Sequence, residues 1–98
     1  SKNLENGKFD LAIAQSKELL EVYPNEASNE LYATSYAARG LSFIQKDKYS
    51  EAVADFNQSI NINKNLTSAY LGRAKAYSYL DEFDKDILTL KNDKEISR

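Results

Sequence analysis

The catalytic candidates in this chain come down to its carboxylates. Its 98 residues include no histidine and no cysteine, which removes the ordinary nucleophile and base pair, the thiolate, and any nitrogen or sulfur ligand set for a transition metal. The densest acidic group is Asp81, Glu82, Asp84 and Asp86. It straddles an expected turn and helix start, where acids are favoured by N-capping and by the helix dipole, so the group reads as structural. The three glycines stand alone at positions 7, 40 and 72, so there is no glycine-rich loop to cradle a phosphate. Neither an enzymatic activity, a cofactor nor a metal site is expected. The 13 basic and 15 acidic residues are mixed along the chain and form no basic stripe, so nucleic acid is not an expected partner. No stretch approaches the roughly 20 apolar residues of a membrane span, and no secretory apolar region is present. Without cysteine there is no disulfide framework, and a soluble, intracellular, cytoplasmic protein with no membrane partner is the expectation. The glycosylation triplets Asn57-Gln58-Ser59 and Asn65-Leu66-Thr67 read as chance in a chain rich in asparagine and serine.

Function must therefore come from the elements and the surfaces they create. The stretch from Tyr36 to Ile62 reads as one helical hairpin. Tyr36, Gly40 and Phe43 line one helical face, and Ala52, Val53, Phe56 and Ile60 line another. Gln45-Lys46-Asp47-Lys48 is polar and short, which makes the two helices antiparallel neighbours. A glycine inside a helix costs roughly 1 kcal/mol against alanine, so Gly40 implies close approach of the facing helix, with Ala52 and Phe56 as its contacts.

The hairpin recurs. Moving 34 residues forward takes Tyr36 to Tyr70, Arg39 to Arg73, Gly40 to Ala74, Phe43 to Tyr77, Val53 to Ile87 and Phe56 to Leu90; moving 40 back takes Tyr49 to Phe9, Ala52 to Ala12 and Val53 to Ile13. Asp10, Ser50 and Asp84 fall in one slot just before each second helix, where they are expected to act as N-caps. Arg39 and Arg73, equivalent in successive units, could form a paired anion site. The preferred reading lays each stem across a neighbouring helix, with the head paired to an acid such as Asp55.

A helix-turn-helix period of this length, carrying Tyr36, Gly40, Phe43, Ala52 and Phe56 in its slots, resembles the tetratricopeptide repeat. Tyr36 stands where tryptophan is usual, Arg39 replaces a leucine, and Lys64 stands in place of a closing proline, whereas the first unit keeps its proline as Pro24. The resemblance implies an all-α fold of antiparallel hairpins stacked as a right-handed solenoid of about two and a half repeats. The expected division is a partial repeat over 1–26, an inserted or extended helix over 27–32, a repeat over 33–66 and a degenerate or capping repeat over 67–98. Residues 1–6 align only with the tail of a first helix, so the chain is expected to be a piece of a longer array. At least five helical segments are expected, with turns at Asn6-Gly7-Lys8, at Gln45 to Lys48, at Asn61 to Asn65 and at Asp81-Glu82-Phe83, and with one lengthened helix ending near Gln45.

The resemblance also implies a concave groove lined by the first helix of each unit, which receives a partner's peptide or helix. Its lining would be Thr34, Ala37, Ala38, Leu41 and Gln45 from one unit, and Ser68, Leu71, Gly72, Lys75, Ser78 and Tyr79 from the next. Lys75 is the one charge in that set, which suits an apolar helix or extended segment. The alternative is that Leu41 and Leu71 pack between helices. The expected function is a protein-protein interaction module. One rival is docking of acidic chaperone tails, and another is a purely architectural stretch of solenoid. Family members that bind a C-terminal Glu-Glu-Val-Asp use lysines, asparagines and an arginine on three first helices. Here the corresponding slots hold Ala38, Ser68 and Gly72, with Arg73 one residue out of register.

Overall fold

Of the four turns expected beyond the break at Pro24, those at Gln45 to Lys48 and at Asn61 to Asn65 reverse the chain. The computed structural model describes the backbone of residues 2–96 and the side-chain environments of 7–81. It is all-α, with four helices and no strand among the described residues: α1 Lys2–Val22, α2 Glu26–Gln45, α3 Tyr49–Ile62 and α4 Thr67–Ile96. The expected turns at Asn6-Gly7-Lys8 and Asp81-Glu82-Phe83 are absent, because α1 and α4 run straight through them. Five segments become four. The stack measures 64 × 32 × 15 Å with a radius of gyration of 17.1 Å, well above the roughly 13 Å of a round domain of about this length.

The chain reverses where the backbone demands it. Pro24 follows α1, and Asn25 opens α2 with an extended backbone. The Asn25 side chain accepts from Ser28 N at 2.9 Å, while Ser28 Oγ accepts from Asn25 N at 3.1 Å. This reciprocal cap satisfies two donors that a helix start leaves orphaned. The insertion after Pro24 is thus helical, and it lengthens α2. Between α2 and α3 the reversal is made by Asp47, the single non-glycine residue with positive φ among those described, at 61°. An aspartate tolerates this left-handed conformation better than most residues, and its Oδ1 accepts from Tyr49 Oη at 2.8 Å. The N-cap of α3 is Lys48, without a side-chain cap bond, so Ser50 lies inside the helix and does not cap it. Asp10 and Asp84 also stand within continuous helices, where no free N–H group awaits a cap. Asn63, extended at φ −141°, ends α3.

Packing is sequential. α1 lies on α2, α2 on α3 and α3 on α4, and α4 also reaches α2. The α1–α2 contact is built on small residues: Ser16 Oγ donates to Ala12 O at 2.7 Å and meets Ser35 Oγ at 3.3 Å. The core between the other helices comprises Phe56, fully buried, with Ala37, Ile44, Ala52, Ala69 and Ala76. Ser59, also fully buried, donates to Ala33 O at 2.6 Å. No buried side-chain nitrogen or oxygen among the described residues lacks a partner, as close packing requires.

Phe56 explains two of the three glycines. A Cβ on Gly40 would lie 2.9 Å from the end of its ring, and one on Gly72 would lie closer still. The ring is clamped between α2 and α4 at positions where no side chain fits. At Gly7 nothing stands within 4 Å of an added Cβ. Gly72→Ala is therefore expected to lose about 1–3 kcal/mol by overpacking, whereas Gly7→Ala is expected to add about 0.5–1 kcal/mol through helix propensity. Thermal melts of the two variants should move in opposite directions.

Candidate functional site

α2 divides into faces by its 3.6-residue period. Ala33, Ala37, Gly40 and Ile44 are buried toward the core, while Ser28, Ser35 and Ser42 form a second buried row. Between these rows runs a third stripe, in which Thr34, Leu41 and Gln45 are exposed and Ala38 is half-buried. On α4, Ala69, Gly72 and Ala76 are buried, whereas Ser68, Leu71, Lys75 and Ser78 are exposed. Because α4 reaches α2, these stripes lie on touching helices. The expected lining is corrected at two positions. Ala37 is 3% exposed and belongs to the core, and Gly72 is buried beneath Phe56, so neither offers surface to a partner. Tyr79 is half-buried and stacks on Tyr49, ring centroids 5.0 Å apart. Leu41 and Leu71 do not pack between helices, being 45% and 68% exposed.

The two arginines form no anion site. Arg39 donates from Nε to Asp55 Oδ2 and from Nη2 to Asp55 Oδ1, both at 2.8 Å, and from Nη1 to Asp10 Oδ1 at 2.8 Å. Its guanidinium stands 5.5 Å from the Tyr36 ring centre and 5.8 Å from that of Phe43. The hydrogen bonds to Asp55 hold its pKa above the ordinary arginine value. Arg73 donates to Asn57 Oδ1 at 2.8 Å and lies over Tyr70. The pairing of Arg39 with Asp55 follows the preferred sequence reading, while Asp10 as a second acceptor does not. The insertion in the first spacing hides that partner from any constant repeat offset. Tyr32 packs against Tyr36 with centroids 5.4 Å apart, and loss of water there pushes its hydroxyl pKa up.

Two concavities were not foreseen. One, of about 490 Å³, is lined by Asp47, Lys48, Tyr49, Ser50, Glu51 and Leu80. The other, of about 440 Å³, lies where α1 meets α2 and includes Leu19, Tyr23 and Leu31. The described residues hold no group of three acidic side chains placed to bind a metal ion. Of the acidic quartet, Glu82, Asp84 and Asp86 lie outside the described side chains. No described helix is long and apolar enough to cross a membrane.

Residues 33–66, which hold the α2–α3 hairpin and the Gly40–Phe56 contact, match the tetratricopeptide repeat. The chain belongs to the tetratricopeptide repeat family. Tetratricopeptide repeats are protein-interaction modules. Over 81 residues the chain is 31% identical to the mitochondrial import receptor subunit TOM70 of Rattus norvegicus, a match covering 83% of this chain and 13% of that protein. The TOM70 of Homo sapiens gives the same identity and coverage. The Protein SGT1 homolog of Oryza sativa subsp. japonica is 35% identical over 75 residues, covering 76% of this chain and 19% of the relative. The chain thus spans less than a fifth of these relatives. No solved structure matches it significantly.

Proposed function

We propose that this tetratricopeptide repeat chain is a non-enzymatic adaptor that holds an apolar helix or extended segment of another protein along the surface shared by α2 and α4. The observation that carries this reading is the exposed stripe of Thr34, Leu41 and Gln45 on α2 beside Ser68, Leu71, Lys75 and Ser78 on α4. Such a surface has an apolar anchor in Leu41, neutral hydrogen-bonding groups around it and one charge in Lys75. It suits a mostly uncharged segment and neither nucleic acid nor an anionic membrane. A relative bearing the name of an import receptor subunit supports a recognition role. The absence of cysteine fits a reducing compartment such as the cytoplasm.

Peptides selected by display against the chain provide the test. Leu41→Glu is expected to weaken the selected binders about tenfold or more, as removal of a central anchor does, with the circular dichroism spectrum unchanged. Affinity indifferent to Leu41→Glu overturns the reading.

Acidic chaperone tails are expected to be rejected. Ala38 and Ser68 bring no cation to the surface, Gly72 is buried, and Arg73 is held by Asn57. A terminal carboxylate pair docking here would lose its water and gain few charge-assisted hydrogen bonds, with Lys75 the one cation of the stripe. Calorimetric titration with a peptide ending in Glu-Glu-Val-Asp should give no heat beyond dilution. Salt-sensitive micromolar binding would instead move chaperone docking to first place.

A further inference from the structure

The end of the stack where α1 passes into α2 is apolar and acidic at once. Pro24 and the reciprocal cap of Asn25 and Ser28 set the last turn of α1 against the first turns of α2, and Ser28 Oγ donates to Tyr23 O across the connection. The hollow left between them, of about 440 Å³, includes Leu19, Tyr23 and Leu31; a second hollow of about 300 Å³ joins it through Leu19 and Tyr23 and adds Val22. Leu19 is 39% exposed, Val22 62%, Tyr23 63% and Leu31 48%. Repeat stacking does not ask for the aromatic and the leucine of α1. Forty residues on, the slots of Leu19 and Tyr23 hold Ser59 and Asn63, and that unit closes with Ser59 donating to Ala33 O. Large apolar side chains, grouped and open to water in slots that the next unit fills with polar ones, mark a surface for contact.

The charge around the hollow selects what makes that contact. From Glu18 to Ala38 the sequence has four glutamates and no lysine or arginine, a charge of -4 in a chain whose net charge is -2. Glu18 lines the hollow on α1. Glu26 and Glu30, both exposed, stand immediately before Ala27 and Leu31, which line it on α2. Lys17 and Glu21 are each two residues from Leu19, about 200° around α1, and so belong to its other side. We propose that the hollow receives a basic amphipathic helix of another protein, with its apolar side chains against Leu19, Val22, Tyr23 and Leu31 and its lysines or arginines over Glu18, Glu26 and Glu30. Opposite charge at the rim steers such a helix in and fixes its orientation. The same glutamates turn away other occupants. A second copy seated through this face would bring like charges together, and the phosphates of lipid or nucleic acid would meet only acids. The hollow lies ahead of Thr34 on α2 and takes half of its wall from α1, so it is a surface separate from the stripe that α2 shares with α4.

The chain contains no tryptophan, so a single tryptophan in a peptide reports binding without background. The probe is a leucine and lysine peptide of about 18 residues, roughly 27 Å as a helix, with leucines at helical spacing and one of them replaced by tryptophan; its control carries glutamate in place of every lysine. The basic peptide is expected to bind saturably with a blue-shifted emission, and the acidic one not to bind. Leu31→Ser and the pair Glu18→Gln, Glu30→Gln should each weaken the basic peptide about tenfold or more, with the circular dichroism spectrum unchanged, and added salt should weaken it too. Leu71→Ser, on α4, should leave its affinity in place. Equal binding of the two peptides, or no binding of either, overturns the proposal. So does a basic peptide that keeps its affinity in Leu31→Ser. Sedimentation equilibrium is expected to give the single chain mass; a doubled mass that Leu31→Ser returns to single would assign the hollow to a second copy and overturn the proposal as well.

Discussion

Phe56→Ala is expected to destabilise the fold by about 3–5 kcal/mol, toward the upper end for aromatic truncations. Phe56 is the largest fully buried side chain of those described. What surrounds it decides the magnitude. Its neighbours include Gly40 and Gly72, which have no side chain to move, and the buried core around it is largely alanine: Ala37, Ala52, Ala69 and Ala76. A site walled by glycine and alanine cannot collapse into the space left by a ring, so most of the cavity persists. Against a typical total of about 5–15 kcal/mol the loss is large. Urea unfolding should show a lower midpoint with an unchanged slope. A loss below about 1.5 kcal/mol, the scale of a conservative core swap, would mean that the ring is not what joins α2 to α4.

Arg39→Ala is expected to cost about 3 kcal/mol, chiefly through what it leaves behind. Asp55 has a side chain only 7% exposed and meets Arg39 through both carboxylate oxygens. Removing the guanidinium strands a buried charge. Asp10, 62% exposed, is screened by water, and Asp10→Ala should cost less than about 1 kcal/mol. The double variant Arg39→Met, Asp55→Leu should recover most of the loss, because replacing both members of a buried pair with apolar side chains removes the stranded charge. Chemical denaturation of the three variants checks the ranking. Equal losses for Asp10→Ala and Arg39→Ala would place the main ion pair with α1 instead of α3. Since the hydrogen bonds to Asp55 raise the Arg39 pKa, the arginine stays charged and its contribution holds from neutral pH up to the ordinary arginine value, and is lost as pH rises through its raised value.

The hairpin of α2 and α3 was legible because several local signals agreed there: two apolar faces at helical spacing, a polar connection, and a glycine opposite a phenylalanine. Arg39 with Asp55 was legible for the same reason, as a long cation beside a buried acid. The straight passages through Gly7 and Asp81 were not. A residue that tolerates left-handed geometry permits a reversal without compelling one, and the helix formers around Asp81 supply no proline or glycine to break the helix. The N-cap reading failed at Ser50 because the reversal at Asp47 leaves room for only Lys48 before α3 begins. Ala37 and Gly72 were misplaced for a different reason. A single-helix pattern separates apolar from polar positions, but small residues suit either a groove or the underside of an aromatic ring. Phe56, on a third helix, decides between them.

The three-residue connection Lys46-Asp47-Lys48 bears on how the chain acquires its structure in time. Closing so short a loop loses little chain entropy, and the helices it joins carry the close Gly40–Phe56 approach, so the α2–α3 hairpin is the natural nucleus. α1 and α4 then add to it from opposite sides, each by contacts with helices adjacent in sequence or one removed, which makes for low contact order and rapid assembly. Substitutions at Ala52 and Phe56 should slow refolding, whereas those at Ser16 should chiefly speed unfolding. During synthesis the nucleus is complete once Ile62 has emerged, before any of α4 is available to join it.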